Sequence, residues 1–293
     1  MIGAAPTRQT WLQTGFGLGH GFLRAWQAWR QGGDAAPRLD FIALSSTPPD
    51  AAALRAAHAG SALQPLADAL ASQWPPATRN LHCLGFDGDR VHLLLGVGGV
   101  LDLLPELRAS VDRFIVDALP LAADPDRALS RLCKGLARLA AHDAQLQAPT
   151  TPPGLRPALV AAGFEIESGV EPLRARYRPR FRPRGRTQPS QPAPEQHALV
   201  IGAGLAGCAT AAALAEQGWH STLLDRQPAP AQEASGNPAG LFHGIVNPQD
   251  GAHARFNRAA ALAAQRAVQQ AIDDGLVHGS ARGLLRLESS GKS

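Results

Sequence analysis

The sequence predicts an α/β protein made of two doubly wound, parallel-sheet units joined by an extended linker. Three observations predict it. Short apolar runs alternate with amphipathic helical patterns through residues 1–178, the order of a parallel sheet with crossover helices. The same order restarts at 197–293, beginning ALVIGAGLAGCATAAALAEQGWHSTLLD over 198–225. Between them, residues 179–196 are rich in proline and arginine, a composition that keeps a chain extended.

The stretch at 198 carries the most chemistry. Ala198 to Ile201 form a short apolar strand that runs into Gly202, Gly204 and Gly207, spaced G-x-G-x-x-G, and then into an alanine-rich helical pattern. In such a unit the first glycine permits the tight turn, the second lets backbone approach a pyrophosphate, and the third allows close helix–sheet packing. The anion sits on backbone N–H groups at the helix N-terminus. Gly218 is the expected helix stop, and Ser221 to Leu224 a second strand ending in Asp225, whose carboxylate can accept hydrogen bonds from a ribose diol. The glycines alone would suit many turns. Together with strand, helix, second strand and acid they predict an adenine dinucleotide, with flavin and nicotinamide both left open.

At 293 residues and 45% hydrophobic content the chain has room for about two domains with real cores. The net charge of +4 permits a polyanionic partner without demanding one. Cys83, Cys133 and Cys208 are far apart, have no metal spacing and are expected to be buried thiols in a reducing compartment. No apolar run reaches the roughly 18 residues of a membrane span and no basic-then-apolar leader is present. The expectation is a soluble, cytoplasmic monomer.

Before the linker, Gly15, Gly17 and Gly19 form a G-x-G-x-G loop ahead of an amphipathic helix, a backbone against which a small ligand can lie. Strands are expected at Leu39–Leu44, Val91–Leu95 and Phe114–Val116, and helices at about Asp50–Ala71 and Asp126–Ala141. Trp26 and Trp29, three apart on one helix face, are expected in the core; His82 and His92 lack a second ligand at useful spacing and are expected to be ordinary core or surface histidines.

The strings TGFGLGHGFLRAWQAW, LDFIALSSTP, VDRFIVDALPLAADPD and LVAAGF resemble the methyltransferase half of the bifunctional enzymes that make 5-methylaminomethyl-2-thiouridine at the tRNA wobble position. In that family a methyltransferase using S-adenosylmethionine precedes a flavin oxidoreductase of the glycine-oxidase type, and the order here is the same. The resemblance implies FAD at Gly202, Gly204, Gly207, Asp225, Arg226, Ser235 and Asn237, the last two in a Ser-Gly-Asn turn that the family places near the flavin. It implies S-adenosylmethionine at Gly15, Gly17 and Gly19, with Asp117 the one acid placed for methyl-transfer chemistry. It also implies oxidative removal of the carboxymethyl group from 5-carboxymethylaminomethyl-(2-thio)uridine, then methylation of the freed amine.

The departures are specific. Gln13 stands where the family carries an acid before the glycine loop, and Ser45 where it carries one at the end of the second strand. Gly98-Gly99 replaces a Gly-Asp pair, and Asp117-Ala118-Leu119 an Asp-Gly-Phe signature. The chain is also N-terminally short of the family pattern. Each lost hydrogen bond to a charged group costs about 1.5–3 kcal/mol. Methyl transfer is therefore expected to be impaired or lost and the binding of S-adenosylmethionine weakened.

Arg174, Arg176, Arg178, Arg180, Arg182, Arg184 and Arg186 occupy every second position. If extended, they project from one side, with Leu173, Tyr177 and Phe181 on the other. Such a stripe suits a tRNA phosphate backbone; the alternative is a charged sheet edge that discourages aggregation. After Asp225 the sequence predicts a long helix over Ala252–Ile272 and a strand at Leu284–Leu287, with the oxidoreductase's catalytic residues beyond the chain and an in-frame continuation expected. Two other readings stay open: an oxidase of a small amine or amino acid, and a non-catalytic product that only binds tRNA.

Overall fold

A computed structural model describes residues 8–33, 36–119, 123–169, 171–180, 196–237, 240–245, 247 and 249–283. The chain divides into two compact units, Met1–Thr78 with His82–Gly236, and Arg79–Leu81 with Asn237–Ser293.

In the first unit the elements run β1 (Arg8–Gln13), α1 (His20–Gln31), β2 (Arg38–Ser45), α2 (Ala51–His58), α3 (Gln64–Ser72), β3 (Asn80–Phe86), β4 (Val91–Val97), α4 (Val100–Leu103), β5 (Val111–Ile115), α5 (Pro125–Leu139), β6 (Ala140–Ala148), α6 (Leu155–Ala161), β7 (Phe164–Ile166) and β8 (Leu173–Tyr177). They form one eight-stranded sheet, ordered β3-β4-β2-β1-β5-β6-β8-β7. Pairing is parallel from β4 through β2, β1 and β5 to β6 and antiparallel between β6, β8 and β7. The order of connection reverses between β1 and β5. In open α/β sheets that point, at the carboxyl ends of the strands, is where ligands bind.

The strands expected at Leu39–Leu44, Val91–Leu95 and Phe114–Val116 fall on β2, β4 and β5, with corrections at the helices. The helix foreseen over Asp50–Ala71 is two: α2, capped by Asp50, whose carboxylate accepts the Ala53 N–H at 2.7 Å, and α3. Gly60, at φ +70, turns the chain between them. The second expected helix ends at Leu139 and passes straight into β6. β3 escaped prediction although its burial alternates along NLHCLGF.

Phe22, Trp26, Phe41 and Phe86 pack with β4 into one core on the α1 side of the sheet, and Trp11 and Ile115 lie at its margin. Trp26 is buried; its indole N–H donates to Asp87 at 2.6 Å, and Arg30 donates to the same carboxylate at 2.6 and 2.8 Å. Trp29 is only partly buried and donates to the Pro37 carbonyl. The cysteines do not all behave as expected: Cys133 is buried, Cys208 intermediate and Cys83 exposed, because Cys83 falls on the outward beat of β3.

The first unit also holds a two-stranded parallel sheet, β9 (His197–Ile201) and β10 (His220–Leu224), joined by α7 (Leu205–Glu216). In the second unit α8 (Ala252–Asp273) matches the long helix expected. The strand expected at Leu284–Leu287, Phe181, Arg182, Arg184 and Arg186 lie outside the described residues. Among the described residues no helix is long and apolar enough to cross a membrane.

Candidate dinucleotide site and N-terminal glycine loop

Gly202, Gly204 and Gly207 stand at the corner where β9 turns into α7. Gly202, at φ +99, makes the turn, and its N–H donates to the Leu224 carbonyl at 2.7 Å, tying the corner to β10. A Cβ on Gly207 would collide with the Gly202 carbonyl oxygen, and one on Gly204 would lie 2.9 Å from the Ser235 hydroxyl. Gly207 is thus required by the close approach of backbone, whereas at Gly204 the neighbour is a side-chain hydroxyl. The corner opens on a cavity of about 590 Å³ whose lining includes Gly202, Gly204, Asp225, Arg226, Glu233 and Ser235.

Asp225 faces this corner. Its Oδ2 accepts the Ala203 N–H at 2.7 Å and its Oδ1 the Gln227 N–H at 2.8 Å. These backbone donors, Ala203 first, hold the exposed carboxyl below its ordinary range. An ionised carboxylate offers about four lone-pair sites. Two are used here, so Asp225 can fix the loop and still receive a diol.

The remaining predicted residues differ in placement. The Ser235 hydroxyl accepts the Leu205 N–H at 3.1 Å, so it already holds one of the helix-terminal donors that the sequence suggested for an anion. Arg226 is paired with Glu233. Asn237 is exposed and is not among the residues lining the cavity. Gln227, Ala231 and Glu233 line it without having been foreseen. Ala231 adopts φ +56 and donates to the Ala203 carbonyl at 3.0 Å; an alanine in that conformation leaves no trace in a residue pattern.

The N-terminal loop lies between β1 and α1. Gly17 and Gly19 take φ +53 and +80, and a Cβ on Gly15 would lie 2.7 Å from that of Ala118. Asp117, just past β5, comes to this loop across the switch point and accepts a hydrogen bond from the Gln13 side-chain amide. Burial, the largest influence, raises the Asp117 carboxyl above its ordinary range against the lowering effect of Gln13 and nearby backbone donors. Gln13 is only 5% exposed and its Oε1 has no hydrogen-bond partner among the described residues. Gly21 was missed by sequence reading: a Cβ there would overlap the Gln13 amide. His58, buried at the end of α2, bonds through Nε2 to the Leu18 carbonyl of the loop at 2.8 Å. Ser45 ends β2, its carbonyl accepting the Gly98 N–H at 2.9 Å. The loop suits a nucleoside ligand, but the end of β2 has no carboxylate to match Asp225 in the second loop.

Of the arginine stripe, Arg174, Arg176 and Arg178 share one side of β8 and its extension, while Leu173, Ala175 and Tyr177 are buried on the other. Arg180 is exposed. The sheet-edge alternative is overturned: β8 lies between β6 and β7, and β7 is the edge.

The comparisons with known proteins match the chain in two parts. Residues 61–177 match a family of S-adenosyl-L-methionine-dependent methyltransferases, and residues 197–292 a family of FAD-dependent oxidoreductases. The chain is 46% identical over 286 residues, 95% of its length, to the tRNA 5-methylaminomethyl-2-thiouridine biosynthesis bifunctional protein MnmC of Methylibium petroleiphilum.

The two parts are those of an MnmC-like fusion.

MnmC proteins of Burkholderia vietnamiensis and Burkholderia thailandensis are each 39% identical, over 89% and 96% of this chain. The chain spans less than half the length of these MnmC relatives, covering 44%, 42% and 45% of them.

Proposed function

We propose that the chain belongs to an enzyme that oxidatively removes the carboxymethyl group from 5-carboxymethylaminomethyl-(2-thio)uridine at the wobble position of tRNA, with FAD as acceptor. The observation that carries this is the β9–α7 corner: a glycine turn at positive φ, Gly207 where backbone leaves no room for a Cβ, and a carboxylate bonded to the loop it faces. When bound, FAD supplies the two-electron acceptor for oxidising the substrate's C–N bond. The chain's own residues bind and orient. Gly202, Gly204 and Gly207 bring backbone to the pyrophosphate, Asp225 receives the ribose diol, and Arg226 and Ser235 complete the cofactor's surroundings. The relatives' name supports tRNA as the substrate.

In this reading residues 1–178 are a methyltransferase-like domain, 179–196 a linker and 197–293 part of the oxidoreductase. Gly15, Gly17 and Gly19 form the N-terminal ligand loop, with Asp117 beside it. Methyl transfer is impaired, because Gln13 and Ser45 replace acids around that loop. The protein works in the cytoplasm as a monomer.

The test is titration of the purified full chain with FAD, followed by flavin fluorescence, with S-adenosylmethionine titrated in parallel by calorimetry. FAD binding that is lost in Asp225→Ala, with weak or no binding of S-adenosylmethionine, is the expected result. A chain that ignores FAD and binds S-adenosylmethionine tightly would reverse the assignment of the two loops.

A further inference from the structure

Among the described residues, the α1 side of the large sheet is covered over only part of its width. The core beneath α1, α2 and α3 is built on β2, β3 and β4 and stops at Trp11 and Ile115. Beyond them the register carries the same face outward in two rows. Trp11 lies beside Arg113, Arg113 beside Gln145, and Gln145 beside Arg176. Ile115 lies beside Gln147, and Gln147 beside Arg174. Residues paired across strands share a face, so Arg113, Gln145, Gln147, Arg174 and Arg176 form one surface.

Among the described residues no element covers that surface. Gln145, Gln147 and Arg174 are exposed, whereas Phe114, Leu146 and Ala175 of the same strands are buried on the opposite face. A doubly wound sheet ordinarily buries both faces. Here the uncovered part is polar and cationic, unlike the apolar, charge-depleted centre of a protein interface. The Arg113 guanidinium lies 4.3 Å from the Trp11 ring centroid, which holds it at the margin of the core. Arg178 and Arg180 continue the cationic side of β8. Asp143, Glu165 and Glu167 are the facing acids: Arg178 pairs with Asp143 at 2.6 Å and approaches Glu165 at 3.7 Å, and Arg176 pairs with Glu167 at 3.4 Å. Such exposed pairs hold loosely, so a phosphate can compete for the same guanidinium groups.

We propose that this bare half of the sheet face, with Arg113, Arg174 and Arg176 as cations and Gln145 and Gln147 as hydrogen-bonding partners, is a surface that receives the tRNA phosphate backbone. The arginine stripe of one strand becomes a patch three strands wide. The proposal rests on the tRNA reading given above and adds where the nucleic acid lies.

The experiment measures binding of the full chain to a fluorescein-labelled tRNA transcript by anisotropy at several salt concentrations. Each phosphate contact contributes about 0.7–0.9 to the slope of log K against log salt. Arg174→Ala with Arg176→Ala should lower the slope by about 1.5, and adding Arg113→Ala should lower it further. Arg113→Lys keeps the charge and should restore that last part, separating lost charge from lost packing on Trp11; thermal melts check that each variant is folded. Gln145→Ala with Gln147→Ala should weaken binding with the slope unchanged. Wild-type slope in the folded arginine variants would overturn the assignment of this surface while leaving tRNA as partner. A wild-type chain that does not bind tRNA would instead remove the reading on which it rests. Loss of a dimer in sedimentation, with tRNA binding intact, would assign the face to self-association and also overturn the proposal.

Discussion

Gly207→Ala tests the cofactor corner most directly. In the first turn of a helix, alanine is better than glycine by about 1 kcal/mol of intrinsic propensity. Against this, the added methyl meets the Gly202 carbonyl oxygen, with its carbonyl carbon at 2.9 Å and a methyl of Val200 at 3.6 Å. Backbone cannot rotate out of the way as a side chain can, so α7 must move off β9. Overpacking of this kind costs about 1–3 kcal/mol. The helix shift also misaligns the N–H groups intended for the pyrophosphate, and one hydrogen bond to a charged group is worth about 1.5–3 kcal/mol, or roughly 10- to 150-fold in affinity. FAD affinity, read by flavin fluorescence, should therefore fall by at least about tenfold while the far-ultraviolet spectrum stays native. Gly251→Ala is the control, since nothing lies within 4 Å of a Cβ there. Equal FAD affinity in Gly207→Ala and wild type would refute the claim that close backbone approach at this corner makes the site.

Asp117→Asn should be tolerated best near neutral pH: a carboxyl raised by burial costs stability as pH climbs from its ordinary value, about 3.9, through its elevated folded value. The variant's advantage in thermal melts should shrink on acidification, and a pH-independent difference would contradict this. Asp87 has the opposite sign. The bond from Arg30, then that from Trp26, holds its carboxyl low, so its contribution is present above the ordinary carboxylate pKa and is lost as pH falls through the lowered folded value. Asp87→Ala should cost about 1–2 kcal/mol at pH 7, a melting shift of about 2–6 °C by calorimetry. Burial pushes the Cys133 thiol up to about 12. Native alkylation followed by mass spectrometry should label exposed Cys83 long before Cys133, and equal labelling would show that the α5 core opens.

How much was legible depended on where the information lay. Local chemistry was readable: glycines at a strand-to-helix corner, an acid at the end of the next strand, the alternation of Arg174, Arg176 and Arg178 against Leu173 and Tyr177. These signals lie within about thirty residues, and each is imposed by backbone geometry or by the two-residue repeat of a strand. The break between α2 and α3 was not read, because Gly60 at a positive φ outweighed an otherwise continuous helical pattern. Cys83 was misplaced because burial depends on which way β3 faces, and β3 itself went unseen.

The sequence by itself determined two glycine loops, each ahead of a helix, the linker composition between them, and Gln13 and Ser45 at the ends of the strands beside the first. Only the tertiary structure decided that Asp117 meets Gln13 at the first loop, that Ser235 and Ala231 close on the second, and that β8 lies inside the sheet with its arginines facing the glutamines of β6. Those pairings join positions from about 30 to just over 100 residues apart. Each depends on strand order and register, which arise when apolar faces are buried together, a property of the assembled sheet that no single stretch of residues contains.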